Sequence, residues 1–234
     1  MIRKNLLDRL LNKKVLIWGA RMTGIGALRQ LKTKNINVIG FIDSDLAFDN
    51  KFVHGLPVLN NSSLVDVISK NYDLAIVVAV SLKEDEITHQ LNNMNIQNYE
   101  NIEIFSFLDN EAPYYTVDIL GSCNLNCPSC PHSILDTEVP KGSMKLDTFK
   151  EVFDKIIKDS PNVSHLSLYS WGEPLLHPYI SDIIDYVHDK NVAVALSSNL
   201  SIKFGERIKK IIKSKPDYLK ISLSGFYPKA YDNT

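Results

Sequence analysis

A chain of 234 residues is long enough for one large or two small domains, and 44% hydrophobic residues is ample for packed cores. Its 26 Lys and Arg against 27 Asp and Glu leave a formal charge of -1, so no global field exists to draw in nucleic acid or an acidic membrane surface. Nucleic acid and membrane are therefore excluded as expected partners, and small-molecule chemistry is the class that remains.

The N-terminal "MIRKNLLDRLLNKK" places Ile2, Leu6, Leu7, Leu10 and Leu11 at helical spacing, which predicts a short amphipathic helix. Asp8, Arg9 and Asn12 interrupt the unbroken apolar centre that a secretory signal needs. No later segment approaches the roughly 18 apolar residues of a membrane span. A cytoplasmic location is expected, where thiols stay reduced.

"KKVLIWGARMTGIGALRQL" reads as strand, turn and helix: an apolar run from Val15 to Trp18 ends at Gly19, and Ile25, Leu28 and Leu31 then recur on one helical face. "INVIGFIDSD" is a second strand and Leu56 to Leu59 a short extended piece. "NSSLVDVISK" is a helix capped by Asn61 or Ser62. "LAIVVAV" (Leu74 to Val80) is apolar on both faces, as expected of a central parallel strand covered from two sides. A helix from Lys83 to Met94 and a strand in "ENIEIFSF" complete a small doubly wound, Rossmann-like domain.

Between its first strand and helix lies "GARMTGIG" (Gly19 to Gly26), where a nucleotide-binding glycine loop belongs. Arg21 replaces the second glycine of GxGxxG, which hinders a close backbone approach to pyrophosphate but offers a cation to a phosphate. Asp43, at the end of the second strand, stands where a ribose-binding acid would be. Gly19, Arg21, Gly24 and Asp43 are the nucleotide-binding candidates.

The turn formers of "LDNEAPYY" separate this domain, residues 1–108, from a second over residues 109–234. Here "YTVDIL" (Tyr115 to Leu120) is a strand; Leu146, Phe149, Phe153, Ile156 and Ile157 make one face of a helix; and "HLSLYS" is a strand. Pro178 introduces a helix with Ile180, Ile183, Ile184 and Val187 inward. "VAVALSS", a helix around Phe204 to Ile212, and "YLKISLS" follow. "GFYPKAYDNT" reads as the start of a further turn and helix, so this half is expected to be cut off before its sheet is finished.

All three cysteines, Cys123, Cys127 and Cys130, lie in one loop, "CNLNCPSCPH". Reduced structural cysteines would be buried singly in core segments, whereas Asn124, Asn126, Pro128, Ser129 and Pro131 make this loop polar and turn-forming. With His132 the thiols could form a Cys3His zinc site, although ligands at 130 and 132 are unusually close. Three thiolates at i, i+4 and i+7 could instead wrap a 4Fe-4S cluster, which normally takes four cysteines, leaving one iron open to a substrate or cofactor.

In this pattern the second half, residues 114–234, resembles the radical S-adenosylmethionine (radical SAM) superfamily. Cys123-x-x-x-Cys127-x-x-Cys130 matches its signature and follows the first strand of the half. "YSWGEPLLHP" is similar to the family's GGEP segment, with Gly172, Glu173 and Pro174 kept and Trp171 in place of the first glycine. The resemblance implies an α/β chain whose Rossmann-like domain is followed by a truncated partial (β/α)6 barrel. It also implies a 4Fe-4S cluster on the three cysteines and S-adenosylmethionine (SAM) on its open iron. Gly172, Glu173 and Pro174 would hold the SAM amino group, and Ser197 and Asn199 in "SSNL" and Ser222 in "KISLSG" would face SAM. Ser224 stands where the family often has Asp. An electron donor such as flavodoxin or ferredoxin would reduce the cluster, SAM would be cleaved, and the resulting radical would take hydrogen from a small-molecule (sugar) or peptide substrate. The first half, in "GFIDSD…GLPVL…IVVAV", resembles the nucleotide-sugar-binding N-terminal domain of bacterial sugar acyltransferases. The alternative reading is a non-catalytic metal- or cluster-binding module with a nucleotide-sensing N-terminal domain.

Overall fold

A computed structural model describes residues 4–71, 73–80, 83–94, 102–107, 112–128, 130–134, 141–203 and 205–223. The chain divides into two compact units, Met1–Pro113 with Ser160–Ser164, and Tyr114–Asp159 with His165–Thr234.

In the first unit the elements are α1 (Lys4–Leu10), β1 (Lys14–Trp18), α2 (Met22–Thr33), β2 (Asn37–Ile42), β3 (Phe52–Val53), β4 (Leu56–Leu59), α3 (Asn61–Ser69), β5 (Leu74–Val78), α4 (Glu84–Asn93) and β6 (Glu103–Ser106). The sheet order is β3-β4-β2-β1-β5-β6, parallel except for the β3–β4 hairpin. The chain thus winds outward from β1 in one direction and then in the other, the doubly wound pattern. Alternation along β1 shows both faces covered: Val15 and Ile17 join a core with Leu10, Leu28 and Leu31, while Leu16 and Trp18 join one with Leu64, Ile68, Ile87 and Leu91. Every residue of β5 is buried, as its two-sided apolar run requires.

Two local features depart from the sequence reading. The cap of α3 is Asn60, whose side chain accepts from Ser63 N at 3.0 Å, rather than Asn61 or Ser62; four capping residues in a row leave the start open to a one-residue slip. The β3–β4 hairpin turns at His54 (φ 49°) and Gly55 (φ 76°), a left-handed pair that suits a tight hairpin.

The second unit contains β7 (Tyr115–Thr116), α5 (Pro131–Ile134), α6 (Leu146–Asp159), β8 (His165–Ser167), α7 (Ile180–Asp189), β9 (Ala193–Ser198), α8 (Glu206–Ser214) and β10 (Tyr218–Ile221). Its sheet runs β10-β9-β8-β7, all parallel and in sequence order. Each strand–helix step therefore advances in one direction, the winding of a barrel wall and not that of the first unit. Phe149 and Phe153 of α6, Ile180, Ile183, Ile184 and Val187 of α7, and Ile208 and Ile211 of α8 are the buried helix positions. β7 is shorter than the expected strand from Tyr115 to Leu120. After Val117 N bonds Ser167 O the chain leaves the sheet, and Leu120 bridges Ser143 instead, with Met144 N on Ile119 O. The expected final turn and helix, and Ser224, lie outside the described residues.

Candidate functional site

In a parallel sheet the carboxyl ends of the strands gather the loops that carry chemistry. In the second unit these loops hold Cys123–Cys130 after β7, Trp171–Leu176 after β8, Asn199–Ser201 after β9 and Ser222 after β10.

The first two loops are locked together through backbone. Glu173 N donates to Ser122 O at 2.9 Å, one residue before Cys123. At Gly172 an added Cβ would stand 1.6 Å from Leu120 O and 3.1 Å from Ser122 O, so only glycine permits this approach. Trp171, in the place of the family's first glycine, is 53% exposed and its backbone N lies 3.3 Å from Asp118 Oδ2.

Glu173 is 2% exposed, and both of its carboxylate oxygens are engaged. Oε1 accepts from Leu175 N at 3.0 Å, capping the 3-10 turn Pro174–Leu176, and Oε2 accepts from Asn199 N at 2.9 Å. The carboxylate thus fastens the loop after β8 to the loop after β9. A buried carboxylate needs its lone pairs satisfied, and two backbone N–H groups do so here.

Asn199 continues the web. Its Nδ2 lies 3.6 Å from Cys123 Sγ and 3.2 Å from Asn124 Oδ1, and its Oδ1 accepts from Ser201 N at 2.7 Å. Asn124 Nδ2 donates to Ser201 O, and Leu125 N approaches Cys123 Sγ at 3.5 Å. Ser197 of β9 and Ser222, just past β10, meet hydroxyl to hydroxyl at 3.1 Å, and Ser222 N donates to Ser198 O.

Behind these loops His177 is fully buried. Its Nδ1 accepts from Tyr179 N, which assigns the other proton to Nε2, 2.8 Å from Met144 O. Burial lowers its pKa, against the raising effect of the bond to Met144 O, and the nearby Arg207 charge lowers it further. The imidazole is a tie to the strap beside Leu120. Asn124, Asp118 and His177 are the contributors that motif reading passes over.

The three thiols are free and half-buried, with Cys130 N bonded to Cys127 O at the entry to α5. Among the described residues no group of three His, Cys, Asp or Glu stands close enough together to hold a metal ion. His132 Nε2 is buried with no hydrogen-bond partner. The soft donor set, the orphaned imidazole nitrogen and the glycine cradle together fit an inorganic cluster with a cofactor beside it.

In the first unit Gly19 has φ +114°, and a Cβ on Gly24 would stand 1.7 Å from Gly19 O, so both glycines are needed for the tight turn into α2. Asp43 accepts from Ala20 N through Oδ2 and from Asp45 N through Oδ1, each at 2.9 Å. Arg21 pairs with Asp45 and lies over the Phe48 ring. The four candidates are therefore gathered around one loop, with Asp43 holding its backbone.

Comparison with known proteins adds two family matches. Residues 11–102 match the model described as C2185-like, N-terminal, so the likeness to sugar acyltransferases rests on the sequence segments alone. Residues 117–234, half of the chain, match the radical SAM superfamily. The AdoMet-dependent heme synthase of Methanosarcina barkeri is 28% identical over 116 residues, 50% of this chain and 32% of that protein. The tungsten-containing aldehyde ferredoxin oxidoreductase cofactor-modifying protein of Pyrococcus furiosus is 26% identical over 110 residues, 47% of this chain and 30% of that protein. These matches span about a third of each relative. A crystal structure of BtrN in complex with AdoMet and 2-DOIA superposes with a TM-score of 0.41 at 14% identity, covering 53% of this chain and 52% of that one. With the family's model spanning half of its length, the chain belongs to the radical SAM superfamily, whose cofactors are a 4Fe-4S cluster and S-adenosylmethionine.

Proposed function

We propose that this chain is the cofactor-binding part of an enzyme that cleaves SAM reductively and abstracts hydrogen from a small-molecule, sugar or peptide substrate. Cys123, Cys127 and Cys130 hold the cluster, and Gly172, Glu173 and Pro174 form the seat for the amino group of SAM. When bound, the two cofactors supply one-electron cleavage of a carbon–sulfur bond and a radical able to take hydrogen from carbon. The chain's own residues orient and enclose. Gly172 lets the loop after β8 lie against Leu120 O, and Glu173 fixes the loops after β8 and β9 in one arrangement. Such preorganisation lowers the cost of holding a reactive group in line with its target. Ser197 and Ser222 place paired hydroxyls on the same rim for the ribose or carboxylate of SAM.

The observation that carries this reading is the bond from Glu173 N to Ser122 O, which joins the cysteine loop to the GEP segment within one residue of Cys123. An electron donor of the flavodoxin or ferredoxin class would reduce the cluster, and the reducing cytoplasm is the compartment that suits three free thiols. Among the described residues no helix is long and apolar enough to cross a membrane.

For residues 1–108 we propose a separate recognition domain of nucleotide or nucleotide-sugar type, with residues 109–234 as the radical SAM part. In it Gly19 and Gly24 shape the loop, Asp43 ties it down and Arg21 meets phosphate.

Anaerobic incubation of the reduced, cluster-loaded protein with SAM tests the enzymatic reading. Release of 5'-deoxyadenosine and methionine is expected. A protein that carries zinc and releases neither would establish the non-catalytic module instead.

A further inference from the structure

Cluster potential in proteins is tuned by hydrogen bonds to the ligating sulfurs, because the reduced cluster carries more negative charge on them. In this chain such a donor is built into the fold 76 residues away from its sulfur. Asn199 Nδ2 lies 3.6 Å from Cys123 Sγ. It is not placed there by chance of a loose side chain. Its backbone N is held by the buried Glu173 carboxylate at 2.9 Å, and its Oδ1 is held by Ser201 N at 2.7 Å. With Oδ1 committed to Ser201 N, the amide's two N–H donors are left for Cys123 Sγ and Asn124 Oδ1, both within reach of Nδ2.

We propose that the Asn199 side-chain amide donates a hydrogen bond to the Cys123 thiolate and thereby raises the reduction potential of the cluster, with Glu173 as the positioning residue behind it. The inference rests on the assignment of Cys123 as a cluster ligand. It gives Asn199 a partner other than SAM. The reduced state, formed when one electron enters from the donor protein, is stabilised by this N–H more than the oxidised state is. Removal of the donor therefore shifts the couple to more negative potential and makes reduction harder.

Asn199→Ser is the direct test. Serine can still accept from Ser201 N, but its hydroxyl is too short to reach the sulfur. In the cluster-loaded chain, redox titration followed by electron paramagnetic resonance should show the reduced-to-oxidised ratio at a fixed poise falling about tenfold, ~59 mV for one electron. An unchanged midpoint with the full iron content would overturn the proposal. A second measurement needs no variant: with 15N in the asparagine side-chain amides, the reduced wild-type cluster should show a nitrogen hyperfine coupling. Its absence would overturn the proposal even if Asn199→Ser failed to load iron. Failure of the wild-type chain itself to assemble a cluster would instead defeat the assignment of Cys123, a different result from an intact cluster whose potential ignores Asn199.

Discussion

The carboxylate of Glu173 accepts the backbone N–H of Asn199 at 2.9 Å across 26 residues of sequence, and through it the ends of two neighbouring parallel strands are fixed to each other. The same carboxylate caps the turn at Leu175, so one buried side chain serves two backbone donors.

Glu173→Ala strips both donors of their acceptor. Each unpaired buried donor costs about 1–3 kcal/mol, so a loss of at least that size is expected in urea denaturation of the chain. Glu173→Gln keeps one acceptor and should lose less. A stability equal to wild type in both variants would contradict the role given to this carboxylate.

Gly172→Ala should leave iron content near that of wild type while abolishing the spectral response of the reduced cluster to SAM. The added methyl meets a carbonyl oxygen of the backbone at 1.6 Å, not a side chain that could swing aside, so the segment that seats the cofactor must move. Electron paramagnetic resonance with and without SAM measures this directly. An unaltered response would show that the close approach at Leu120 is not needed.

His165 gives the second unit a defined acid lability. It is 6% exposed, stacked on Tyr114 with ring centroids 4.9 Å apart, and burial lowers its pKa from 6.5 to about 4. Between those two values the unfolded chain binds a proton that the folded chain does not. Stability therefore rises with pH across this window and is lost as pH falls from 6.5 towards 4, by up to roughly 3 kcal/mol. Denaturant titrations at pH 7 and pH 4.5 on wild type and His165→Phe should differ in pH slope, the variant being flatter. Equal slopes would remove His165 as the cause.

Much of the fold was legible in the sequence because its signals are local. The two-sided apolar run at Leu74–Val78 could only be a covered strand, and Ile180, Ile183, Ile184 and Val187 repeat at helical spacing and are all fully buried. The hairpin at Phe52–Val53 has no sequence signal, because two residues carry no periodicity and its turn depends on His54 adopting a positive φ. The strand expected over Tyr115 to Leu120 is shorter in the fold: its apolar residues continue past the sheet, but their later partners are Ser143 and Met144. In the site, the cysteines stand out by their spacing, and Gly172–Pro174 by their resemblance to the family's GGEP segment. The bonds of Glu173 to Asn199 and of Asn199 to Cys123 join positions 26 and 76 residues apart, which only the winding of the sheet brings together.

In the first unit Asp43→Ala removes the acceptor of Ala20 N and Asp45 N, and should loosen the loop around Gly19 and Arg21. Calorimetric titration with UDP-sugars and NAD(H) is expected to give heat with wild type and none with Asp43→Ala. Absence of heat with wild type at millimolar ligand would remove nucleotide recognition from this unit.

The central claim is a cluster held by three thiols, and metal analysis of anaerobically reconstituted protein tests it most directly. Wild type should contain about four irons per chain, the content of one cubane, and Cys127→Ala should lose them. One equivalent of zinc in wild type, or a full iron complement in Cys127→Ala, would contradict the account.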